Sequence, residues 1–129
     1  MAEHVSVQVP LADEFVSVVR IIVSGVAERA KLAFEDMDDL QLAVERLLAE
    51  AGHEGQASLS FELGNGYVRT RIGPLHEHGL AEALQRLDRT PGQLTLAWVL
   101  DTVVDSYGVE ETSGEGIVVR LEKLVEKSA

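Results

Sequence analysis

Apolar and polar residues alternate near the start of the chain, where the valines of residues 4–9 all fall on one side. Strict alternation is typical of a strand with one buried face, so we expect a strand that ends at Pro10. Between residues 11 and 32 the apolar residues recur every three or four positions, which predicts an amphipathic helix, although many of them are β-branched. The apolar positions of that helix are 15, 18, 19, 22, 23, 26 and 30.

A second amphipathic pattern follows a run of acidic residues. Residues 34–38 are predicted to form an acidic loop, with Asp38 as the N-cap of the next helix and Gln41 completing a capping box. Gly52 is a natural end for this helix, because glycine readily adopts the left-handed conformation found after helix C-termini. The residues that the helix is expected to bury are Leu40, Val44, Leu47, Leu48 and Ala51.

The second half of the chain reads as two β-hairpins separated by helices. Asn65-Gly66 lies between two alternating runs, which is a strong hairpin signal, and Gly73-Pro74 is expected to end the return strand. The other predicted elements are strands over 57–63, 67–72, 107–111 and 117–124, a turn over 113–116, and helices over 80–87 and from Thr90 to Val104. This order predicts a single α+β domain over residues 1–129, a two-layer sandwich with helices on one face of a mixed or antiparallel sheet.

Charge and composition narrow the classes of partner. The chain has 129 residues, a formal net charge of −11 and no cysteine. Its acidity disfavours nucleic acid and anionic membranes as partners, because their phosphates would be repelled. The absence of cysteine excludes disulfides, thiolate catalysis and cysteine-ligated zinc. No signal segment or membrane span is visible in the sequence, so we expect a cytoplasmic protein.

Several polar clusters suggest chemistry, but each has a simpler interpretation. Glu50 and His53 have the spacing of a di-metal helix motif, yet no second copy of the motif is present. His76 and His78 provide two imidazoles, too few for a good metal site, so no metal is expected. Trp98 is interpreted as a core residue or a dimer contact. The acidic residues of positions 35–39 are either a solvated loop or a contact for a basic partner.

The helix pattern at residues 39–51 contains Leu42-Ala43-Val44 and ends in Ala51. It resembles the first ATP-site helix of the anti-sigma-factor serine kinases, which belong to the histidine kinase-like (Bergerat or GHKL) ATPases and read roughly L-A-V-x-E-x-x-x-N-A there. In that family the glutamate activates the attacking group, and the asparagine holds Mg²⁺ against the nucleotide phosphates. Here Arg46 stands in place of the glutamate and Glu50 in place of the asparagine.

The two glycine motifs of that family are also altered. Where the family has D-x-G-x-G after the return strand, with the aspartate bound to adenine, this chain keeps one glycine, Gly73. Where the family has a G-x-G-x-G run that holds the phosphates, this chain has Pro91, Gln93 and Thr95, with Gly92 out of phase. Proline has no N–H to donate to a phosphate. The remaining C-terminal residues, 94–121, look like the closing helix and the last two strands of the family.

The resemblance implies a Bergerat-like fold and a degenerate nucleotide pocket formed by Arg46, Glu50, Gly73, Gly92 and Thr95. It implies a regulatory protein that binds a sigma factor or an anti-sigma antagonist, forms a homodimer, and needs no cofactor because it does not catalyse phosphate transfer. The alternative is an active kinase with ATP and Mg²⁺, in which Glu50 holds the metal and Glu45 or Asp39 is the base. A third hypothesis is a small structural or dimerisation module that binds no sigma factor, in which the acidic surface only keeps the protein soluble.

Overall fold

The computed structural model describes residues 3–52, 55–75, 96–111 and 116–124. In this part of the chain, a strand and a 3-10 turn (Asp13–Phe15) lead into two helices, a hairpin, a third helix and a second hairpin. The strands are β1 (Glu3–Pro10), β2 (Gln56–Gly64), β3 (Tyr67–Leu75), β4 (Ser106–Glu111) and β5 (Ile117–Leu124). The helices are α1 (Val16–Arg29), α2 (Phe34–Glu50) and α3 (Leu96–Val103).

The strands form one sheet in the order β1-β2-β3-β5-β4, and each neighbouring pair is antiparallel. The described helices pack on one another and on this sheet, with α2 between α1 and α3. The architecture is therefore α+β with an antiparallel sheet, which confirms the predicted fold class and is consistent with a Bergerat-like ATPase fold. No helix in the described ranges is both long and apolar enough to cross a membrane.

The core lies between the helices and the sheet and is almost entirely aliphatic. From α2 it takes Leu40, Val44 and Leu47, which are fully buried as the helical spacing predicts. Strands contribute alternate residues, as their pleat requires, so Phe61 and Ile72 point into the core. The other fully buried large side chains are Val23, Leu59, Leu63, Val68, Leu100, Val119 and Leu121.

The start of α2 differs from the prediction. The helix begins at Phe34 rather than after Asp38, and Ala33, in an extended conformation, is its N-cap without a side-chain capping bond. Asp38 is therefore an internal helical residue, and the predicted acidic loop and capping box are wrong. Acidic residues such as Glu35 suit the first turn of a helix, because its N-terminus carries a partial positive charge. Gly52 follows the helix with φ 102, as expected of a C-terminal glycine.

The return strand also differs at its end. Strand β3 continues through Gly73-Pro74 to Leu75, so the prediction that this dipeptide ends the strand is wrong. The pairing of β3 with β5 shifts register between Ile72 and Leu75, and the Gly73–Pro74 peptide is cis. A proline is tolerated here because the regular hydrogen-bond ladder is already interrupted. The Asn65-Gly66 turn is confirmed, with Gly66 at φ 90.

The helix predicted over 80–87 and the first turn predicted for the helix starting at Thr90 lie outside the described residues. The predicted helix over residues 11–32 is shorter in the structure, because a 3-10 turn precedes α1. Along α1 the predicted core position Val18 is 40% exposed, whereas Val19, Val23 and Val26 are buried. The helix thus presents a narrower buried stripe than its apolar pattern suggests.

Candidate functional site

Helix α2 presents different chemistry on its two flanks. Successive residues of an α-helix are rotated by about 100°, so Gln41 and Glu45 fall on the flank that faces α1. The Gln41 amide donates to Ser24 Oγ at 2.6 Å, and the Arg20 guanidinium on α1 donates to Glu45. This flank fixes α2 against α1.

Arg46 and Glu50 occupy the opposite flank of α2, one turn apart. Their side chains form an ion pair with 3.9 Å between Arg46 Nη2 and Glu50 Oε1. Both side chains are partly exposed, at 39% and 48%. The Nε atom of Arg46 is buried and has no hydrogen-bond partner among the described residues. The structure therefore brings together the two candidate pocket residues that lie on α2.

This pair has a clear chemical consequence. A guanidinium stays protonated at any accessible pH, so Arg46 cannot accept a proton as a glutamate would. Its positive charge also partly neutralises the Glu50 carboxylate, which lowers the attraction of that carboxylate for a cation. The described residues contain no group of three or more side chains suited to holding a metal ion.

The two alternative base candidates are held in other ion pairs. Glu45 points to α1 and pairs with Arg20, away from the flank that carries Arg46. Asp39 lies 3.2 Å from Lys123 Nζ. Glu45 is therefore turned away from the Arg46–Glu50 pair, whereas Asp39 lies on the same flank of α2, about two turns earlier, and is engaged by Lys123.

Lys123 is a buried charge that the sequence reasoning missed. Its ammonium donates to the Val103 carbonyl at 2.8 Å and to Asp39 Oδ2 at 3.2 Å, and it lies 3.6 Å from Asp36 Oδ1. It thereby connects β5 with the start of α2 and the end of α3. The signal was available, because Val119, Leu121 and Lys123 share one parity on a strand whose apolar residues face the core.

Gly73 lies in β3 directly against β5. A Cβ atom built at this position would be 2.7 Å from the Ile117 carbonyl oxygen and 3.0 Å from Val118 Cα. Both neighbours are backbone atoms, which cannot rotate away as a side chain can. The packing of two strands is thus a sufficient reason for glycine here, independent of any bound nucleotide.

Replacing Gly73 with alanine is expected to lower the free energy of unfolding by about 1–3 kcal/mol, because the added methyl group would force β3 and β5 apart. Urea denaturation followed by circular dichroism measures this change. Gly25→Ala is the matched control, since a Cβ at Gly25 on α1 meets no atom within 4 Å. Unchanged stability in Gly73→Ala would contradict the strand packing described here.

The remaining candidate pocket residues, Gly92 and Thr95, lie outside the described residues, as do His53, His76 and His78. Trp98 on α3 is 38% exposed, so it is not a fully buried core residue. The described part of the candidate site therefore consists of the Arg46–Glu50 flank of α2, with Gly73 accounted for by strand packing.

Comparison with known proteins relates this chain to a group of kinases. No protein-family model matches the chain. It is 27% identical to the serine-protein kinase RsbW of Halalkalibacterium halodurans over 97% of this chain and 85% of that protein. It is 32% identical to RsbW of Oceanobacillus iheyensis over 70% of this chain and 60% of that protein. It is 31% identical to RsbW of Bacillus subtilis over 56% of this chain and 42% of that protein. These similarities confirm the predicted resemblance: the chain is similar to serine-protein kinases of the RsbW type.

Proposed function

We propose that the chain is a cytoplasmic regulator of transcription that acts by binding a protein, a sigma factor or an anti-sigma antagonist, without transferring phosphate. The observation that carries this proposal is the Arg46–Glu50 ion pair on α2, at the positions where the resembling kinases have a glutamate and an asparagine. A permanent cation in place of the activating carboxylate removes proton abstraction from the reaction. We further propose that residues 1–129 form one domain and that the protein is a homodimer.

The surface of α1 supports a binding role. Ile21 is 72% exposed and Val18 is 40% exposed, so this helix presents apolar side chains to solvent. Asp13 and Glu14 precede the helix and give this end of the surface a negative charge. Such a surface suits a partner segment with apolar and basic side chains, which the net charge of −11 would also attract.

The first experiment on this proposal is a calorimetric titration with Mg-ATP. We expect no binding heat in the micromolar range, because three nucleotide motifs are altered together and Arg46 replaces the activating carboxylate. Glu50→Ala is the matched variant, since it removes the carboxylate that would hold Mg²⁺ in an active site. Micromolar binding that requires both Mg²⁺ and Glu50 would contradict the proposal.

The alternative function is an active serine/threonine kinase. The similarity of the chain to three proteins named as serine-protein kinases favours this alternative. In this case Glu50 would hold Mg²⁺ against the phosphates, and a carboxylate would have to approach the substrate hydroxyl. Glu45 could do so only after releasing Arg20 and turning to the other flank of α2. Asp39 would have to release the buried Lys123. Both carboxylates would have to leave an ion pair, and Arg46 would still occupy the position of the activating glutamate, which is why we prefer the binding function.

A further inference from the structure

The face of the sheet opposite the described helices carries a row of residues that runs across four strands. Ser60 on β2 lies opposite Arg71 on β3, and Arg71 lies opposite Arg120 on β5. Gly108 on β4 lies opposite Arg120 and completes the row. Arg71 and Arg120 alternate with buried residues of their strands, so both side chains point away from the core. The row therefore holds two permanent positive charges and no carboxylate.

Like charges directly opposite each other on neighbouring strands are unfavourable, so the two arginines are stabilised by an anion placed between them. In this structure the anion is the carboxylate of Glu110 on β4. Its Oε1 accepts a hydrogen bond from Arg120 Nη1 at 3.1 Å, whereas its Oε2 lies 3.5 Å from Arg71 Nε. One carboxylate thus serves two guanidinium groups, and only one of the two contacts is a hydrogen bond.

The two arginines keep N–H groups that have no partner in the described part of the chain. A guanidinium has five N–H groups in a planar fork. Arg71 donates no hydrogen bond to a described residue, and its side chain is 43% exposed. Arg120 Nε is buried without a hydrogen-bond partner among these residues, because the Glu122 carboxylate, 3.2 Å away, lacks the geometry of a hydrogen bond. A Cβ atom at Gly108 would be 2.7 Å from Arg120 Nη2, so glycine leaves room for this guanidinium.

The third arginine of this face differs, because carboxylates lie on both sides of it. Arg69 Nη1 donates to Glu62 at 2.8 Å, and its Nη2 lies 3.6 Å from Glu122. Together with Glu110, the ion pairs of this face contain three arginines and three glutamates, so their formal charges cancel. The whole chain, in contrast, has a net charge of −11. An incoming anion is therefore repelled less at this face than by the average surface of the protein.

We propose that Arg71, Arg120 and the Ser60 hydroxyl bind a phosphate monoester, the side chain of a phosphorylated serine or threonine in a partner protein. Such a group carries a charge of about −1.5 to −2 at neutral pH and three acceptor oxygens, so it outcompetes a single carboxylate for two guanidinium groups. Glu110 occupies this position until the phosphate binds and then turns into solvent, where its side chain is already 39% exposed. Only the source of the phosphate rests on the proposed protein-binding function.

The first test is a titration with inorganic phosphate at constant ionic strength, followed by the NMR signals of the arginine side chains. We expect saturable shifts of the Arg71 and Arg120 signals, with a dissociation constant on the order of millimolar. Arg71→Gln should weaken this binding at least about fivefold. Arg69→Gln is the matched control, because it removes the same charge from the same face, and it should change the affinity less than about twofold. Circular dichroism establishes that both variants are folded.

The second test removes the competing carboxylate. Glu110→Gln keeps the size of the side chain and should tighten phosphate binding at least about threefold, because the phosphate no longer displaces an ionised group. Glu62→Gln is the control, since it makes the same change in net charge beside Arg69. Equal tightening in the two variants would reflect only the net charge of the protein and would overturn the inference.

The third test identifies the source of the phosphate. A short alanine peptide with a central phosphoserine should bind at least as tightly as inorganic phosphate and depend on Arg71, and its unphosphorylated counterpart should not bind. Tighter binding of adenosine monophosphate than of the phosphopeptide would assign the site to a nucleotide and overturn the inference. So would an absence of saturable phosphate binding, or equal losses in Arg71→Gln and Arg69→Gln. None of these measurements uses Mg-ATP, a sigma factor or an antagonist, so their failure is distinguishable from failure of the proposed function.

Discussion

Replacing Lys123 with alanine is expected to lower the free energy of unfolding by about 3–5 kcal/mol, because it breaks a buried, hydrogen-bonded charge cluster. The Lys123 side chain is only 9% exposed and donates to the Val103 carbonyl as well as to Asp39. Without the ammonium, Asp36 and Asp39 repel each other on adjacent turns of α2, and the carbonyl loses its partner. Urea denaturation at neutral pH measures the change.

Two further variants test whether the loss of stability in Lys123→Ala comes from the buried charge. Lys123→Met keeps the apolar stem of the side chain and removes the charge, so its loss of stability should be smaller than that of alanine. Arg29→Ala breaks the exposed ion pair with Glu3 and should change stability much less, because exposed pairs contribute little. A Lys123→Ala protein as stable as Arg29→Ala would show that the buried cluster does not hold β5, α2 and α3 together.

Phe61 is the site of the second large effect. Its side chain in β2 is fully buried in the core, and it faces Val5 and Thr70 on the neighbouring strands. Phe61→Ala is expected to lower the free energy of unfolding by about 3–5 kcal/mol, because a well-packed aliphatic core relaxes only partly around the cavity.

Phe34→Ala is the matched control for that measurement. Phe34 is 71% exposed at the start of α2, so its removal should change stability by no more than about 0.5 kcal/mol. Equal losses in the two variants would mean that Phe61 does not lie at the centre of the core as described.

Local patterns in the sequence were enough to predict most of the sheet. The alternation that places Val68, Thr70 and Ile72 on one face is confirmed, since all three are buried. The Asn65-Gly66 turn fixed the first hairpin, because few other residue pairs accept its backbone conformation. The fold class could be predicted because each strand and helix carries its own periodicity.

Contacts distant in sequence explain what the patterns missed. The local pattern predicts a loop at the acidic start of α2, yet Asp36 and Asp39 are paired there with Lys123, more than 80 residues away. Periodicity cannot indicate such a partner. Gly73-Pro74 likewise predicts the end of a strand. The shifted register between β3 and β5 that accommodates this dipeptide is a property of the assembled sheet, so the local sequence does not show it.

The candidate site was predictable only in part. The four-residue spacing of Arg46 and Glu50 placed them on one face of a helix, and the structure pairs them. The same spacing rule could not show that Glu45 is held by Arg20, because that contact depends on how α1 packs against α2.

The exposed apolar surface of α1, proposed above to bind the partner protein, can be tested with a single substitution. Ile21→Lys places a charge on the most exposed part of that surface, and should weaken binding of a sigma factor or antagonist without unfolding the protein. Its side chain is 72% exposed, so the core is untouched.

The most direct test of the central claim is incubation of the purified protein with a purified sigma factor or anti-sigma antagonist and radiolabelled Mg-ATP, followed by size-exclusion chromatography and autoradiography. The account predicts a stable complex with the wild type, a weaker one with Ile21→Lys, and no label on either protein. Phosphate transferred to a serine or threonine of the antagonist would contradict it and establish the chain as an active kinase.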